Sequence, residues 1–393
     1  MRGPLAWLAG ALATILLLVA LAVRLERPVA PPPLAAELDV ASAMRGGDPA
    51  GFRRAEAPRP FEFPADHGAH DGFRTEWWYF TGTLVAGDGR TFGYQLTFFR
   101  NALAPGPAAG TSNLRAQHVW MAHFALSDGR RGRFRFAEKL AREAIGLAGA
   151  RAAPFEVWVE GWRAGAVGSG FAPLELVAAA DGMALELTLD AGKPPVLQGD
   201  RGWSRKGPEP GNASFYYSLT RMPTRGTVAL EGERFEVTGN SWMDREWSTS
   251  ALGPGLAGWD WLALQLDDGR DLMLYRLRRR DGAPDPWSAG RIVEPDGASR
   301  PLAAAEFRLE PLGSWTSPRG GDYPAGFRVE VPGEGLELEA RPRVADQELA
   351  TLVRYWEGAV AVSGSGPRGP VAGAGFLEMT GYATGAGGIS PPR

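Results

Sequence analysis

In the stretch GNSWMDREWSTS, residues 239–250, two carboxylates stand two positions apart among indoles. Residues two apart on an extended chain share a face, so Trp242, Asp244 and Glu246 would look one way and Met243, Arg245 and Trp247 the other. Carboxyl groups about 7 Å apart beside an indole repel each other and lose hydration, which drives one pKa toward neutrality. An acid that keeps its proton near pH 7 is what general-acid catalysis requires. The competing reading is a solvated strand end in which Arg245, Asp244 and Glu246 satisfy one another. Glu357 in YWEGAV and Glu378 in GFLEMTGY repeat the pattern, with Tyr355 on the face of the first and Phe376 and Tyr382 on the face of the second. Asp260, between Trp259 and Trp261, shares a face with Leu262, Leu264 and Leu266. In FRTEWWYFTG, residues 73–82, Glu76 shares a face with Trp78 and Phe80. A carboxylate on an apolar face must be bonded or paired, so Glu76 is expected to anchor the strand through donors or an arginine while Trp78 and Phe80 fill a barrel.

Other chemistries are poorly served. The chain has no cysteine, which excludes disulfides, thiolate catalysis and cysteine-ligated zinc. Of the four histidines, His67 and His70 fall in what reads as a polar loop, while His118 and His123 fall on opposite faces of one strand, poor geometry for sharing a metal. No nucleophile elbow, phosphate-cradling glycine loop or dinucleotide fingerprint is found, GAGGIS near the end lacking a strand-to-helix context. Neither a metal nor a cofactor is expected. A net charge of -3, with RLRRR (276–280) as the densest basic run, makes nucleic acid a poor partner.

The elements that must carry these residues read as short strands. TFGYQLTFFR alternates Phe92, Tyr94, Leu96 and Phe98 against polar or small residues. Comparable strands are expected at 118–126, 155–162, 184–190, 227–237, 259–266, 271–277, 326–331, 336–340, 353–362 and 375–382. FRFAEKLAREAIGLA, 134–148, reads as the one short helix. A weak repeat at an offset of 180 sets Leu84, Asp88-Gly89-Arg90, Phe92 and Tyr94 on Leu264, Asp268-Gly269-Arg270, Leu272 and Leu274, although Leu96 falls on Arg276. A chain of 393 residues exceeds the usual single core, so two units of one kind are expected, divided near residue 238.

The N-terminal end is uncharged from Gly3 to Val23 between Arg2 and Arg24, which suits a secretory signal or an uncleaved anchor, and Ala20-Leu21-Ala22 offers a cleavage site. Residues 1–27 are read as that signal peptide or membrane anchor, 28–71 as a Pro/Ala-rich linker, 72–238 and 239–388 as the two folded units. Export follows, with a location in the periplasm or on a membrane facing it.

The segments FRTEWWYFTG, FGYQLTFFR, GNSWMDREW, YWEGAVAVSG and GFLEMTGY together resemble the signature stretches of the AttH and carotenoid 1,2-hydratase family, over roughly residues 60–390. The resemblance implies an all-β fold of two consecutive lipocalin-like antiparallel barrels or half-barrels, a long apolar ligand such as an isoprenoid or lipid, and, for the hydratase branch, cofactor-free addition of water to a terminal double bond. It also implies that AttH-like members accompany ABC-type transporters, so a non-catalytic accessory or lipid carrier stands as the alternative to a hydratase or hydrolase. Asp244 is the position that matches the hydratase proton donor, here followed by an arginine that alternation should turn away. The expected site therefore comprises Asp244 and Glu246 as catalytic acids, with Trp242, Trp247, Trp259, Asp260, Trp261, Tyr275, Tyr355, Glu357 and Glu378 around the ligand.

Overall fold

The computed structural model describes residues 38–39, 49–106, 117–250, 252–253 and 255–383. The apolar N-terminal run and most of the Pro/Ala-rich stretch lie outside them. The described chain is nearly all β, as its alternation requires. One sheet opens with a four-strand meander, Thr75–Ala86, Thr91–Ala102, His118–Asp128 and Arg133–Arg142. The first of these strands also pairs with the sheet's last, Glu233–Ser248, and the order continues through Ala213–Leu230, Met183–Leu189 and Leu174–Ala180 to Ala148–Ala152. The second sheet repeats the plan. Leu256–Leu266, Asp271–Arg279, Ala289–Val293 and Ser299–Ala303 form its meander, and Leu256–Leu266 pairs with the last strand, Gly369–Met379, followed by Val353–Gly366 and Leu336–Pro342. This sheet is a nearly closed antiparallel barrel, and the two consecutive sheets are lipocalin-like.

The repeat at offset 180 is thus a real duplication of structure. Phe80 faces Leu96 across the first hairpin, and Asp260 faces Arg276 across the equivalent hairpin in the same register. The apolar pair of one unit is replaced by an ion pair in the other, Arg276 Nη2 lying 2.7 Å from Asp260 Oδ2. That substitution explains why the apolar face appeared to fail at Arg276.

Each sheet wraps its own core. Trp78, Phe80, Phe92, Leu96, Phe98, Trp120, Tyr217 and Trp247 belong to the first, and Leu262, Leu264, Leu272, Phe327, Trp356 and Leu377 to the second. Between the sheets lies a third cluster, including Tyr79, Tyr216, Trp242, Trp261, Tyr275 and Phe376. Asp271 ties the sheets together there, accepting from Thr220 Oγ1 at 2.7 Å and from the Arg221 guanidinium at 2.6 Å. Residues from Leu38 onward cluster as one compact unit.

Several expectations are corrected. Residues 134–148 are not a helix: Arg133–Arg142 is a strand, followed by a single 3-10 turn at Ala144–Gly146. Its helix-forming residues are overridden by pairing along its whole length with His118–Asp128. The strand expected over 227–237 is instead a hairpin, turning at Glu231 and Gly232, both with positive φ. The division at 238 cuts through Glu233–Ser248, and the sheet changes only between Ser248 and Leu256. The linker does not extend to Asp71. Ala55 is buried in the first core and Phe61 packs on it, so the chain from about residue 49 belongs to the fold. His67 and His70 are likewise no polar loop: His67 Nδ1 meets the Tyr217 hydroxyl at 2.6 Å, and the His70 ring stacks on Trp247 at 3.8 Å.

Candidate active site between the two sheets

The strand Thr75–Ala86 separates its side chains as alternation demands. Glu76 is fully buried on the inner face, bonded to both Arg100 and Arg245, with the His70 amide donating at 3.0 Å. Burial alone would raise its pKa, but the two guanidiniums outweigh that and hold it well below the usual carboxylate range. Arg245 also lies over the Trp78 ring at 3.8 Å. The arginine next to Asp244 is thereby committed to the inside of the first barrel, as its position in the strand predicts. Trp77 and Tyr79 point the other way and line a cavity of about 430 Å3 between the sheets. That volume lies in the lower part of the range of about 300–1,000 Å3 for small-molecule sites.

Asp244, 3 % exposed, is on the cavity wall. Its Oδ1 accepts from Ser218 Oγ at 2.5 Å and Trp242 Nε1 at 2.7 Å, and its Oδ2 from the Tyr216 hydroxyl at 2.6 Å. These donors favour the carboxylate, yet burial dominates and, with the nearby Glu246, carries the pKa up to about 7. Glu246 accepts from Ser214 and has Lys206 Nζ at 3.6 Å. The same ammonium lies 3.8 Å from the centre of the Tyr275 ring. Burial opposes the charge of Lys206, but Glu246 and Tyr275 reverse the balance and raise its pKa.

The second sheet supplies the opposite wall. Glu357 and Glu378 face each other across neighbouring strands, and both reach the cavity. Glu357 accepts from the Tyr79 hydroxyl of the first sheet. Burial, then the charge of Glu378, raises its pKa well above the ordinary value. Glu378 keeps some surface open to the cavity, and burial together with Asp244 and Glu246 pushes it up to about 8. Tyr355 receives Gln95 Nε2 at 2.9 Å and meets His123 Nδ1 at 2.7 Å. Leu103 and Leu140 also line the cavity and are 64 % and 49 % exposed, which marks its mouth.

Of the residues expected from sequence, Asp244, Glu246, Trp259, Trp261, Tyr275, Tyr355, Glu357 and Glu378 converge on this cavity. Trp242 stands behind Asp244 as a hydrogen-bond donor. Two do not belong. Trp247 is fully buried in the first barrel, on the opposite face of its strand from Asp244. Asp260 is turned into the second barrel, where Arg276, Arg278 and the Tyr382 hydroxyl hold it. Sequence reasoning missed Trp77, Tyr79, Lys206, Tyr216 and His123. The first two were legible as the alternate face of FRTEWWYFTG, whereas Tyr216 lies on a strand that was not anticipated. Among the described residues no group of three or more His, Asp or Glu is placed to hold a metal.

A family model described as AttH-like matches residues 54–382. A solved structure of a Nitrosomonas europaea protein assigned to AttH is 34 % identical, covers 83 % of this chain and 98 % of its own, and superposes with a TM-score of 0.73. Kievitone hydratase from Nectria haematococca shares the fold at 15 % identity, over 85 % of this chain and 98 % of its own, with a TM-score of 0.66. CghA with Sch210972 does so at 16 % identity, over 80 % of this chain and 90 % of its own, with a TM-score of 0.50. No curated protein sequence matches.

Proposed function

The chain belongs to the AttH-like family, and from that premise we propose that it binds an apolar, isoprenoid-like ligand between its two sheets and hydrates an alkene there without a cofactor. The observation that carries the reading is the placement of Asp244: a carboxyl group on an aromatic-lined cavity wall, with the adjacent guanidinium sequestered on the other side of the strand. In the reaction the Asp244 carboxylic acid gives its proton to the less substituted alkene carbon, and the π pair forms the new C–H bond. The tertiary cation left behind lies among the ring faces of Trp77, Trp259 and Trp261. Water adds to it and returns a proton to the Asp244 carboxylate, so the net change is addition of one water. Ser218, Trp242 and Tyr216 hold that carboxylate between the two steps. Glu246, fixed by Ser214 and Lys206, places a second carboxyl group beside it. A proton held near pH 7 suits the donor, being available at neutrality and still acidic enough to leave.

The hydratase fold of kievitone hydratase supports this reading at the level of architecture. Incubating the protein with acyclic carotenoids and shorter isoprenoid alkenes tests it: hydrated product that disappears in Asp244→Asn, with ligand still bound, is the expected result. Tight binding without product, indifferent to that substitution, would instead favour a carrier that hands apolar cargo to an ABC-type transporter.

The same reading has the protein exported, either anchored by the apolar run ending at Val23 or released by cleavage after Ala22. Membrane fractionation with N-terminal sequencing separates anchoring from release.

A further inference from the structure

The cavity is unusual for an apolar site in its charge balance. Four carboxyl groups, Asp244, Glu246, Glu357 and Glu378, face a single ammonium, Lys206, which is committed to Glu246 and the Tyr275 ring. Glu357 is 1 % exposed; its Oε1 takes the Tyr79 hydroxyl and the Tyr355 hydroxyl also acts on its carboxyl, but Oε2 makes no well-formed hydrogen bond. A buried carboxyl so thinly satisfied is costly, and this one belongs to a cavity-lining side chain. Around the unpaired acids stand the rings of Trp77, Tyr79, Trp259 and Trp261. Ring faces attract cations, best when water is excluded. At the Lys206 end the same kind of wall already holds an ammonium against Tyr275 and a carboxylate.

We propose that the cavity is a site for an apolar organic cation, its charge centre taken up between Glu357, Glu378 and Asp244 and caged by the tryptophans and tyrosines of the two sheets. The inference rests on this cavity being the ligand site, not on the hydration step, and it adds a ligand class: an ammonium-bearing apolar molecule, which carries the charge of the cationic intermediate and, by drawing the proton off Asp244, would inhibit hydration rather than undergo it. Uncharged, the ligand would leave the acids protonated; charged, it draws protons off them. The other titratable groups that face them set limits on this. Lys206 is held positive, Arg74 and Tyr275 also line the cavity, His123 is bonded to Tyr355 and Glu138, and burial keeps the Tyr79, Tyr216 and Tyr355 hydroxyls protonated. Asp244 and Glu378, held up to about 7 and about 8, are therefore the groups that yield protons on binding. Cation affinity rises with pH between about 6 and 8, by up to tenfold per unit for each proton released, and levels off above.

Phenyltrimethylammonium and its neutral isostere tert-butylbenzene, titrated calorimetrically into the full protein in buffers of different ionisation enthalpy, test the proposal. The cation is expected to bind at least tenfold more tightly at pH 8, to release protons, and to weaken toward pH 6. The isostere is expected to bind independently of pH. The double variant Glu357→Gln, Glu378→Gln should lose the cation preference and the share of the proton release that comes from Glu378 while retaining tert-butylbenzene, which shows that the cavity is intact. Equal affinity for the two compounds, cation binding without pH dependence, or no binding of the cation overturns the proposal. No hydrated product from the parent protein, with the cation preference intact, would sink the enzymatic reading alone.

Discussion

Asp244 and Arg245 are neighbours in sequence with opposite surroundings, and most of the chemistry follows from that one alternation. Asp244 holds a proton in the folded state that it would give up near pH 3.8 in the unfolded chain. A folded pKa raised to about 7 contributes stability below the unfolded value, and that contribution is lost as pH rises through 7. The pH-dependent cost at pH 8 is about 4 kcal/mol at most. Asp244→Asn should therefore gain stability relative to the parent protein as pH rises from 4 to 8, measured by urea unfolding at each pH; a difference independent of pH would contradict the assignment. Turnover should fall about tenfold per unit above pH 7, because only the protonated acid can donate. Arg245→Met leaves Glu76 with one guanidinium fewer in a fully buried place, and a loss of about 3–5 kcal/mol is expected in the same assay. At this scale the sequence was largely legible: the cost of a buried carboxylate predicted that Glu76 would be held by donors or an arginine, and alternation that Arg245 would turn away from Asp244. What it could not supply was partner identity, since Tyr216 and Ser218 reach Asp244 from the preceding arm of a hairpin that was not anticipated and Tyr79 reaches Glu357 from the other sheet.

Among the elements, the two equivalent hairpins show how one plan accepts different interiors. Phe80 against Leu96 and Asp260 against Arg276 occupy the same place in the two units. Asp260→Leu alone strands Arg276 without its buried carboxylate and should cost about 3–5 kcal/mol, whereas the double variant Asp260→Leu, Arg276→Leu should recover most of it. Thermal unfolding of these two and of Arg276→Leu alone checks this, and full additivity of the two single effects would argue against a coupled pair. Strands with clean period-two patterns, such as Thr91–Ala102 and Asp271–Arg279, were readable from sequence. Arg133–Arg142 was not, because its Ala, Glu, Lys and Leu content favours helix and its strand state is set by the neighbouring strand. Trp247 and Asp260 were misplaced for a related reason: each face could be sorted from sequence, but not which face met the cavity.

For the whole molecule, the cavity is a product of two sheets packing outer face to outer face rather than of either barrel. The duplication was visible in the repeat, but the packing of the two copies was not, because nothing local specifies it. Gly93 is one place where it is recorded: a Cβ there would lie 2.4 Å from Ala359 Cβ on the other sheet. Gly93→Val should force the sheets apart, lowering stability by about 1–3 kcal/mol and weakening ligand binding together, with calorimetry reading both. Unchanged binding would mean that the ligand does not lie between the sheets. The account depends above all on that location, so the most direct test is a crystal structure with a bound isoprenoid or apolar ammonium ligand. Density between Trp77, Trp261 and Glu357, within reach of Asp244, is the predicted result; a ligand inside either barrel core, or one that leaves Asp244 out of contact, would contradict it.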